Sequence, residues 1–275
     1  MKKFALVLAV ATMLGCPAFA GVLYEIEVAD HSQSPAAVST SQISVEGQLL
    51  KIDGSAGSHM DGSMIYRGDR RQMVVVNDED TSYFVIDEEQ MRALTAQISE
   101  AMTAMEQALA AVPEGQRAQF EQMMKKRMPV QGAPREPAEL KKAGDSETIN
   151  GYPCVRYEVW RGGIRQRELW VTSWENIEGG EDTAQAFQDM SDFLREMLDS
   201  LAQFGGQSFG DPAFEHLREM GGIPVRTREF ADDGSIETEA TLKSAADRSF
   251  EPASFDPPKG YTKQDLFKGQ KRKKK

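Results

Sequence analysis

The chain has 275 residues, of which 43 are acidic and 32 are basic, and its formal net charge is -11. This excess of negative charge argues against nucleic acid as a partner of the folded part, because phosphate groups attract Lys and Arg. The length suffices for one domain with a large core, and an apolar content of 40% gives no sign of wholesale disorder.

The first twenty residues have the layout of a secretory signal peptide. Lys2 and Lys3 give a positive start, an apolar run follows from Phe4 to Leu14, and small residues alternate in Ala18-Phe19-Ala20. The run is much shorter than the ~20 residues that a membrane-spanning helix needs. We therefore predict that residues 1–20 are a cleaved signal peptide and that the protein works in the periplasm.

A second interpretation of the same segment stays open. Met13-Leu14-Gly15-Cys16 also resembles the site where a bacterial lipoprotein is cleaved and acylated, which would make Cys16 an anchor to the inner or outer membrane. The pattern of small residues favours cleavage after Ala20. That cleavage leaves Cys154 as the one cysteine, so no disulfide within the chain can form.

From Val22 onward, apolar and polar residues alternate with a period of two, which indicates half-buried β-strands. Glycines and polar turns separate the runs. We predict an antiparallel meander with strands over residues 22–28, 41–45, 49–53, 63–66, 71–77 and 81–86. A second group of strands is predicted over residues 153–160, 164–172, 223–230 and 235–245, and the pair Asn150-Gly151 just before it is typical of a two-residue hairpin turn.

Two segments change to helical spacing. After the N-cap residue Asp87, apolar residues recur every three or four positions, and Pro113 divides the stretch into two helices. A similar stripe follows later in the chain. We predict helical insertions near 88–128 and 183–204, with a flexible connection over 129–144 because that segment is rich in Pro, Gly and charge.

Strand runs broken by helices, without regular alternation, indicate an α+β fold. We predict a single half-barrel-like domain over residues 21–262, built on a curved antiparallel sheet with long helices covering its concave face. Residues 263–275 then form a basic, disordered tail.

Two motifs carry a resemblance to a known family. The segment Thr148-Ile149-Asn150-Gly151-Tyr152-Pro153-Cys154, continuing through Tyr157 to Glu168-Leu169-Trp170-Val171-Thr172, resembles secreted bacterial proteins that form a domain-of-unknown-function family. The late segment Phe255-Asp256-Pro257-Pro258-Lys259-Gly260-Tyr261 is similar to that family's ending. The layout also resembles the lipoprotein carriers LolA and LolB, and it implies a half-open barrel, lidded by helices, that holds acyl chains.

The resemblance implies an apolar ligand, an acyl chain or a lipid, between sheet and helices. Periodicity of the helical stripes nominates the lining. The candidates are Met91, Leu94, Ile98, Met102, Met105, Phe187, Met190, Leu194 and Met197, with Trp160 and Trp170 from the sheet. A fully packed core has the same apolar faces, so the sequence alone leaves both interpretations open.

The sequence lacks the common motifs that indicate an enzyme. The chain has three histidines, no Gly-rich phosphate loop and no Gly-x-Ser-x-Gly nucleophile elbow. We predict a non-enzymatic protein, with no catalytic residue, no metal site and no cofactor.

The C-terminus is strongly basic, since six of the last eight residues are Lys or Arg. Such a run is typical of a solvated terminus. The alternative is binding to an anionic membrane surface through Lys271, Arg272, Lys273, Lys274 and Lys275. A second hypothesis follows for the whole protein: an envelope structural or interaction module that uses its acidic body or basic tail to bind a protein or a membrane surface.

Overall fold

The computed structural model describes residues 21–54, 62–110, 138–202 and 219–265. Within these ranges the chain forms one twelve-stranded sheet and two long helices. The strands are β1 (Val22–Asp30), β2 (Ala37–Glu46), β3 (Leu49–Asp53), β4 (Gly62–Arg67), β5 (Gln72–Asn77), β6 (Ser82–Ile86), β7 (Glu139–Ile149), β8 (Tyr152–Arg161), β9 (Ile164–Ser173), β10 (Gly222–Phe230), β11 (Ile236–Asp247) and β12 (Thr262–Lys263). The helices are α1 (Glu88–Ala110) and α2 (Gly180–Ala202).

The sheet is open, curved and almost entirely antiparallel. Its strand order is β12-β6-β5-β4-β3-β2-β1-β11-β10-β9-β8-β7, and only the short β12 runs parallel to its neighbour β6. Two meanders, β1 to β6 and β7 to β11, therefore join edge to edge through the pairing of β1 with β11. This architecture confirms the predicted antiparallel α+β sheet.

Local sequence signals account for many boundaries. The backbone N–H of Gln90 donates to the carboxylate of Asp87 at 2.8 Å, which is the predicted N-cap of α1. Asn150 and Gly151 both have positive φ, 48° and 86°, as a two-residue type I′ turn between β7 and β8 requires.

Three predicted segments differ from the structure. The connection predicted over 129–144 is wrong from Glu139 onward, because β7 begins there and pairs with β8. The ending is more ordered than predicted, with a 3-10 turn at Pro252–Phe255 before β12. Helix α2 begins at Gly180, three residues before the predicted start. The predicted helical residues 111–128 and the tail residues 266–275 lie outside the described ranges.

The two faces of the sheet carry separate cores. The face that contacts α2 bears the large cluster. Coverage of the whole concave face by helices stays a prediction, since the described part of α1 contacts mainly α2 and the neighbouring strand β6. On the opposite face, Phe250, Phe255 and Tyr261 of the C-terminal segment pack against β3 to β6. There Arg67 binds Asp69 and Asp256, which fixes this segment to the sheet.

Candidate functional site

Helix α2 packs on one apolar row of the sheet, here named the closed row. Its members lie opposite one another on five adjacent strands and are all buried: Val22, Val45, Leu50, Tyr66 and Met73. From α2, the buried residues Ala186, Met190 and Phe193 join the same cluster, and the rings of Tyr66 and Phe193 are 5.8 Å apart.

Two tyrosine hydroxyls fix α2 onto this face of the sheet. The Tyr24 hydroxyl donates to the carbonyl oxygen of Glu178 at 2.8 Å and lies 2.7 Å from the hydroxyl oxygen of Thr183. The Tyr66 hydroxyl donates to the carbonyl of Asp189 at 3.1 Å. Burial raises the pKa of Tyr24 to about 12, although its hydrogen bond with Thr183 acts in the opposite direction. The position of α2 is therefore specified by polar as well as apolar contacts.

A second row on the same face is covered less completely in the described part of the chain. It consists of Ile43, Ile52, Met64 and Phe84, which are all half-buried, and we name it the open row. Its members follow one cross-strand register, Tyr24 to Ile43 to Ile52 to Met64 to Val75 to Phe84, with Tyr24 and Val75 buried. The open row thus presents a strip of apolar surface across β2 to β6 beside the packed core.

Helix α1 also carries an apolar stripe that is not fully buried. Met91, Leu94, Ile98 and Met102 are half-buried, and the helix contacts β6 and α2. The side chain of Met105 lies outside the described residues. Since β6 contributes Phe84 to the open row, the beginning of α1 lies at one end of that row.

The candidate lining residues of α2 lie in different environments. Met190 is fully buried in the core beneath α2. Phe187 and Leu194 are half-buried and pack against the edge of the core, with the Phe187 ring 6.5 Å from Trp174, and Met197 is half-buried. Met190 therefore contributes to packing in this conformation. The assignment of all four to a ligand site stays a prediction.

The two candidate tryptophans lie at the other end of the sheet, away from the open row. Trp170 is buried, and the guanidinium groups of Arg228 and Arg226 lie 4.9 Å and 5.6 Å from its ring centroid. Trp160 is half-buried, donates to Glu158 at 3.0 Å, and has Lys141 5.2 Å from its ring. The sequence candidates thus fall into separate helical and sheet groups.

Sequence reasoning missed the open row. Ile43, Ile52, Met64 and Phe84 belong to strands whose period of two is visible in the sequence. Counting positions back from each hairpin turn would have aligned them in one row, because register in a meander follows the turns. Their partial exposure was not predictable, since it depends on where α2 packs.

Reactive groups give little support for chemistry at this face. Cys154 is free and buried, its thiol donates to the carbonyl of Tyr152 at 3.3 Å, and burial raises its pKa. Within the four described ranges, no group of three or more His, Cys, Asp or Glu side chains is placed to hold a metal ion. In the same ranges, neither helix has the length and apolarity to cross a bilayer.

The sequence also matches a known family model. Residues 118–261 match the family described as a domain of unknown function, DUF4412, and this match covers more than half of the 275 residues. The chain belongs to the DUF4412 family. The DUF4412 match includes the hairpin and the Phe255 to Tyr261 segment on which the resemblance was based, and it confirms that resemblance. Helix α2 and strands β7 to β11 lie within it, whereas the open row lies before it.

Solved structures show more distant likenesses, and no curated protein sequence matches the chain. An uncharacterized conserved protein from Thermus thermophilus has 6% identity and a TM-score of 0.43, with 90% of each chain covered. The MucA/MucB complex of Pseudomonas aeruginosa has 9% sequence identity and a TM-score of 0.36, and the match covers 88% of this chain and 56% of that chain. A LolA superfamily protein from Nitrosomonas europaea has 9% sequence identity and a TM-score of 0.23, and the match covers 88% of this chain and 91% of that chain. These likenesses are too distant to identify a ligand or partner.

Proposed function

We propose that this protein is a non-enzymatic, periplasmic binding protein that holds the apolar chain of a lipid or fatty acid along the open row. The observation that carries the proposal is the contrast between two parallel rows on one face. The closed row is buried under α2, whereas Ile43, Ile52, Met64 and Phe84 remain half-buried beside it. Partly exposed apolar side chains on neighbouring strands are the kind of surface that an apolar ligand covers.

The half-buried stripe of α1 supplies the opposite wall in this proposal. Its Met91 and Met102, with Met64 from the sheet, have flexible side chains that adapt to chains of different shape. Each buried CH₂ of a ligand contributes about 0.8 kcal/mol, so full burial of a twelve-carbon chain gains roughly 10 kcal/mol before the cost of association. Association costs about 4 kcal/mol or more, so apolar contact alone leaves at most roughly 6 kcal/mol, which corresponds to binding in the range of about 0.1 mM.

A pair of variants on one strand tests the proposal. Leu50 and Ile52 lie two residues apart on β3 and face the same side, but Leu50 is fully buried and Ile52 is half-buried. We expect Ile52→Asn to weaken binding of the neutral dye N-phenyl-1-naphthylamine at least tenfold. Leu50→Ala should destabilise the fold by roughly 2–5 kcal/mol and leave dye affinity within about threefold.

The measurement is a fluorescence titration with the dye, followed by displacement with dodecanol, on variants whose folded state is checked by circular dichroism. If wild type takes up neither probe, the open row is ordinary surface and the proposal is wrong. If Ile52→Asn binds both probes as wild type does, a ligand binds elsewhere.

The second candidate function is the interaction module, and the six basic residues among the last eight favour it. In this proposal Lys271, Arg272, Lys273, Lys274 and Lys275 bind anionic lipid, each contributing ~1 kcal/mol near the surface. Deleting residues 268–275 should then abolish flotation with phosphatidylglycerol vesicles at low salt, and 0.5 M salt should abolish it for the intact chain. Equal flotation of both chains would exclude the tail as the membrane contact.

A further inference from the structure

The C-terminal segment, residues 248–265, lies on the outer face of the sheet, opposite the open row. It leaves β11 beside Gly21, where the backbone N–H of Arg248 donates to the Gly21 carbonyl at 2.8 Å. It ends as β12 on the edge of β6, six strand steps or about 29 Å from β11. The segment therefore passes five strands of the first meander before it pairs with β6.

One inserted ring and one ion pair hold the middle of the segment. Phe255 is fully buried, and it is the one residue of the segment in a buried cluster whose other members come from the sheet: Ile65, Val74, Val76 and Val85. The next residue, Asp256, accepts a hydrogen bond from the buried guanidinium of Arg67 at 2.6 Å. This cluster shares no member with the larger core beneath α2. The segment therefore packs on an apolar surface that is separate from the core of the fold.

The end of the segment is bound through its backbone. The N–H groups of Thr262 and Gln264 donate to the carbonyl oxygens of Thr81 and Tyr83 at 3.0 and 2.7 Å. Hydrogen bonds of this kind add a peptide of one protein to a sheet edge of another, and an inserted side chain then supplies specificity. The ring, the ion pair and the added strand together form the pattern by which one chain recognises an extended segment of a second chain.

Three prolines restrict the segment before it binds. Pro252 begins the 3-10 turn, and Pro257 and Pro258 follow the ion pair. Because proline fixes φ, such a segment has less conformational entropy to lose on binding. Fully extended, residues 248–261 reach about 46 Å, well beyond the roughly 29 Å that they cross here. A released segment is therefore both restricted enough and long enough to bind the same surface on another molecule.

We propose that the C-terminal segment is exchangeable, and that the outer face of β3 to β6 binds the same segment of a second copy in a strand-swapped dimer. The second copy supplies the identical Phe255 ring, Asp256 carboxylate and β12 backbone, so every contact broken within one chain is made again between two. Within one chain the effective concentration of the segment is of millimolar order. We therefore expect wild type to be a monomer at micromolar concentration and to exchange only when the contact within the chain is weakened.

Two charge-reversal variants test the exchange, because each opposes the contact within a chain and their mixture restores it between chains. Arg67→Asp places two carboxylates at the ion pair, and Asp256→Arg places two guanidinium groups there. In the mixture, the segment of each variant meets the opposite charge on the other. Arg70→Asp is the matched control for Arg67→Asp, because Arg70 also faces Asp256 but is 54% exposed and lies 3.6 Å away.

We expect Arg67→Asp and Asp256→Arg each to be monomeric alone. In native mass spectrometry their equimolar mixture should give a 1:1 heterodimer at least about tenfold more abundant than either homodimer, because like charges at this contact oppose both homodimers. Arg70→Asp mixed with Asp256→Arg should remain monomeric, since Arg70→Asp keeps its segment on its own sheet. Circular dichroism establishes that each variant is folded. If a charge reversal prevents folding, Phe255→Ala and Arg67→Gln replace the pair, because the first retains an intact outer face and the second an intact segment.

Two results would overturn the exchange. A mixture of folded variants that stays monomeric would show that the segment binds only within its own chain. Homodimers of either variant as abundant as the heterodimer would show that association does not use this ion pair. The proposed function is tested separately by the dye, because the open row lies on the opposite face of the sheet.

Discussion

The hydroxyl oxygens of Tyr24 on β1 and Thr183 on α2 lie 2.7 Å apart in a buried contact that joins residues 159 positions apart. The Tyr24 hydroxyl also donates to the carbonyl of Glu178, just before the first turn of α2. This polar contact fixes the start of α2 above β1. Together with the apolar contacts of Ala186, Met190 and Phe193, it holds α2 over the closed row.

Removing this contact should loosen α2 without unfolding the sheet. We expect Tyr24→Phe and Thr183→Val each to lower the free energy of unfolding by roughly 1–3 kcal/mol, because each leaves a buried polar partner unsatisfied. The double variant should cost less than the sum, with a coupling of about 1 kcal/mol. Urea unfolding of the four chains measures this coupling, and strict additivity would show that the two hydroxyls act independently.

Alkaline pH should destabilise the protein through the same tyrosine. The pKa of Tyr24 is about 12 in the folded chain, against an ordinary value of 10.0. The proton is therefore held more tightly in the folded state, so the stabilisation is complete below pH 10 and is lost as pH rises from 10 to 12. A shift of this size corresponds to roughly 3 kcal/mol. Unfolding free energies of wild type and Tyr24→Phe between pH 9 and 11.5 test it, since the variant should show the smaller decline.

The C-terminal segment should depend on one buried arginine. Arg67 is 5% exposed and donates to Asp256 at 2.6 Å and to Asp69 at 2.8 and 2.9 Å. We expect Arg67→Ala to cost roughly 2–4 kcal/mol and to speed tryptic cleavage after the exposed Lys259. Arg70→Ala is the control, because Arg70 is 54% exposed and its contacts are 3.6 and 3.8 Å long. Equal cleavage rates in both variants would contradict this role.

Cys154 should be inert in the folded protein. It is 1% exposed and burial raises the pKa of its thiol, so the reactive thiolate is scarce at neutral pH. In a chain that begins at Gly21, this is the one cysteine. We expect Ellman's reagent to react at least a hundredfold more slowly with the native chain than with the same chain in 6 M guanidinium chloride. Similar rates in the two conditions would show that β8 opens readily.

Local order was predictable from the sequence because it depends on near neighbours. The strand over 49–53 has its predicted bounds, and the turn at Asn150-Gly151 has the predicted conformation. The first half of strand β7, Glu139 to Gly144, was missed because it has no apolar alternation: β7 is a charged edge strand, with a register shift between Lys142 and Ser146. Its strand character depends on pairing with β8 and not on its own pattern.

Long-range arrangement was less accessible. The pairing of β1 with β11, which joins the two meanders, leaves no local signal in either strand. For the same reason Leu50 and Ile52 look equivalent in sequence, and only the position of α2 distinguishes a buried residue from a half-buried one. The contact of Arg226 and Arg228 with Trp170 was not predictable either, because it depends on the pairing of β10 with β9, and Trp170 and Arg226 are about 55 residues apart in the sequence.

Native mass spectrometry tests the central claim most directly. The mature chain would be isolated without detergent from the periplasm of an expressing bacterium, and the ligand extracted with solvent and identified. The account predicts a bound, stoichiometric lipid or fatty acid, which is lost in Ile52→Asn and retained in Leu50→Ala molecules that remain folded. An apo mass for wild type that stays unchanged after incubation with dodecanoate and dodecyl phosphate would contradict it.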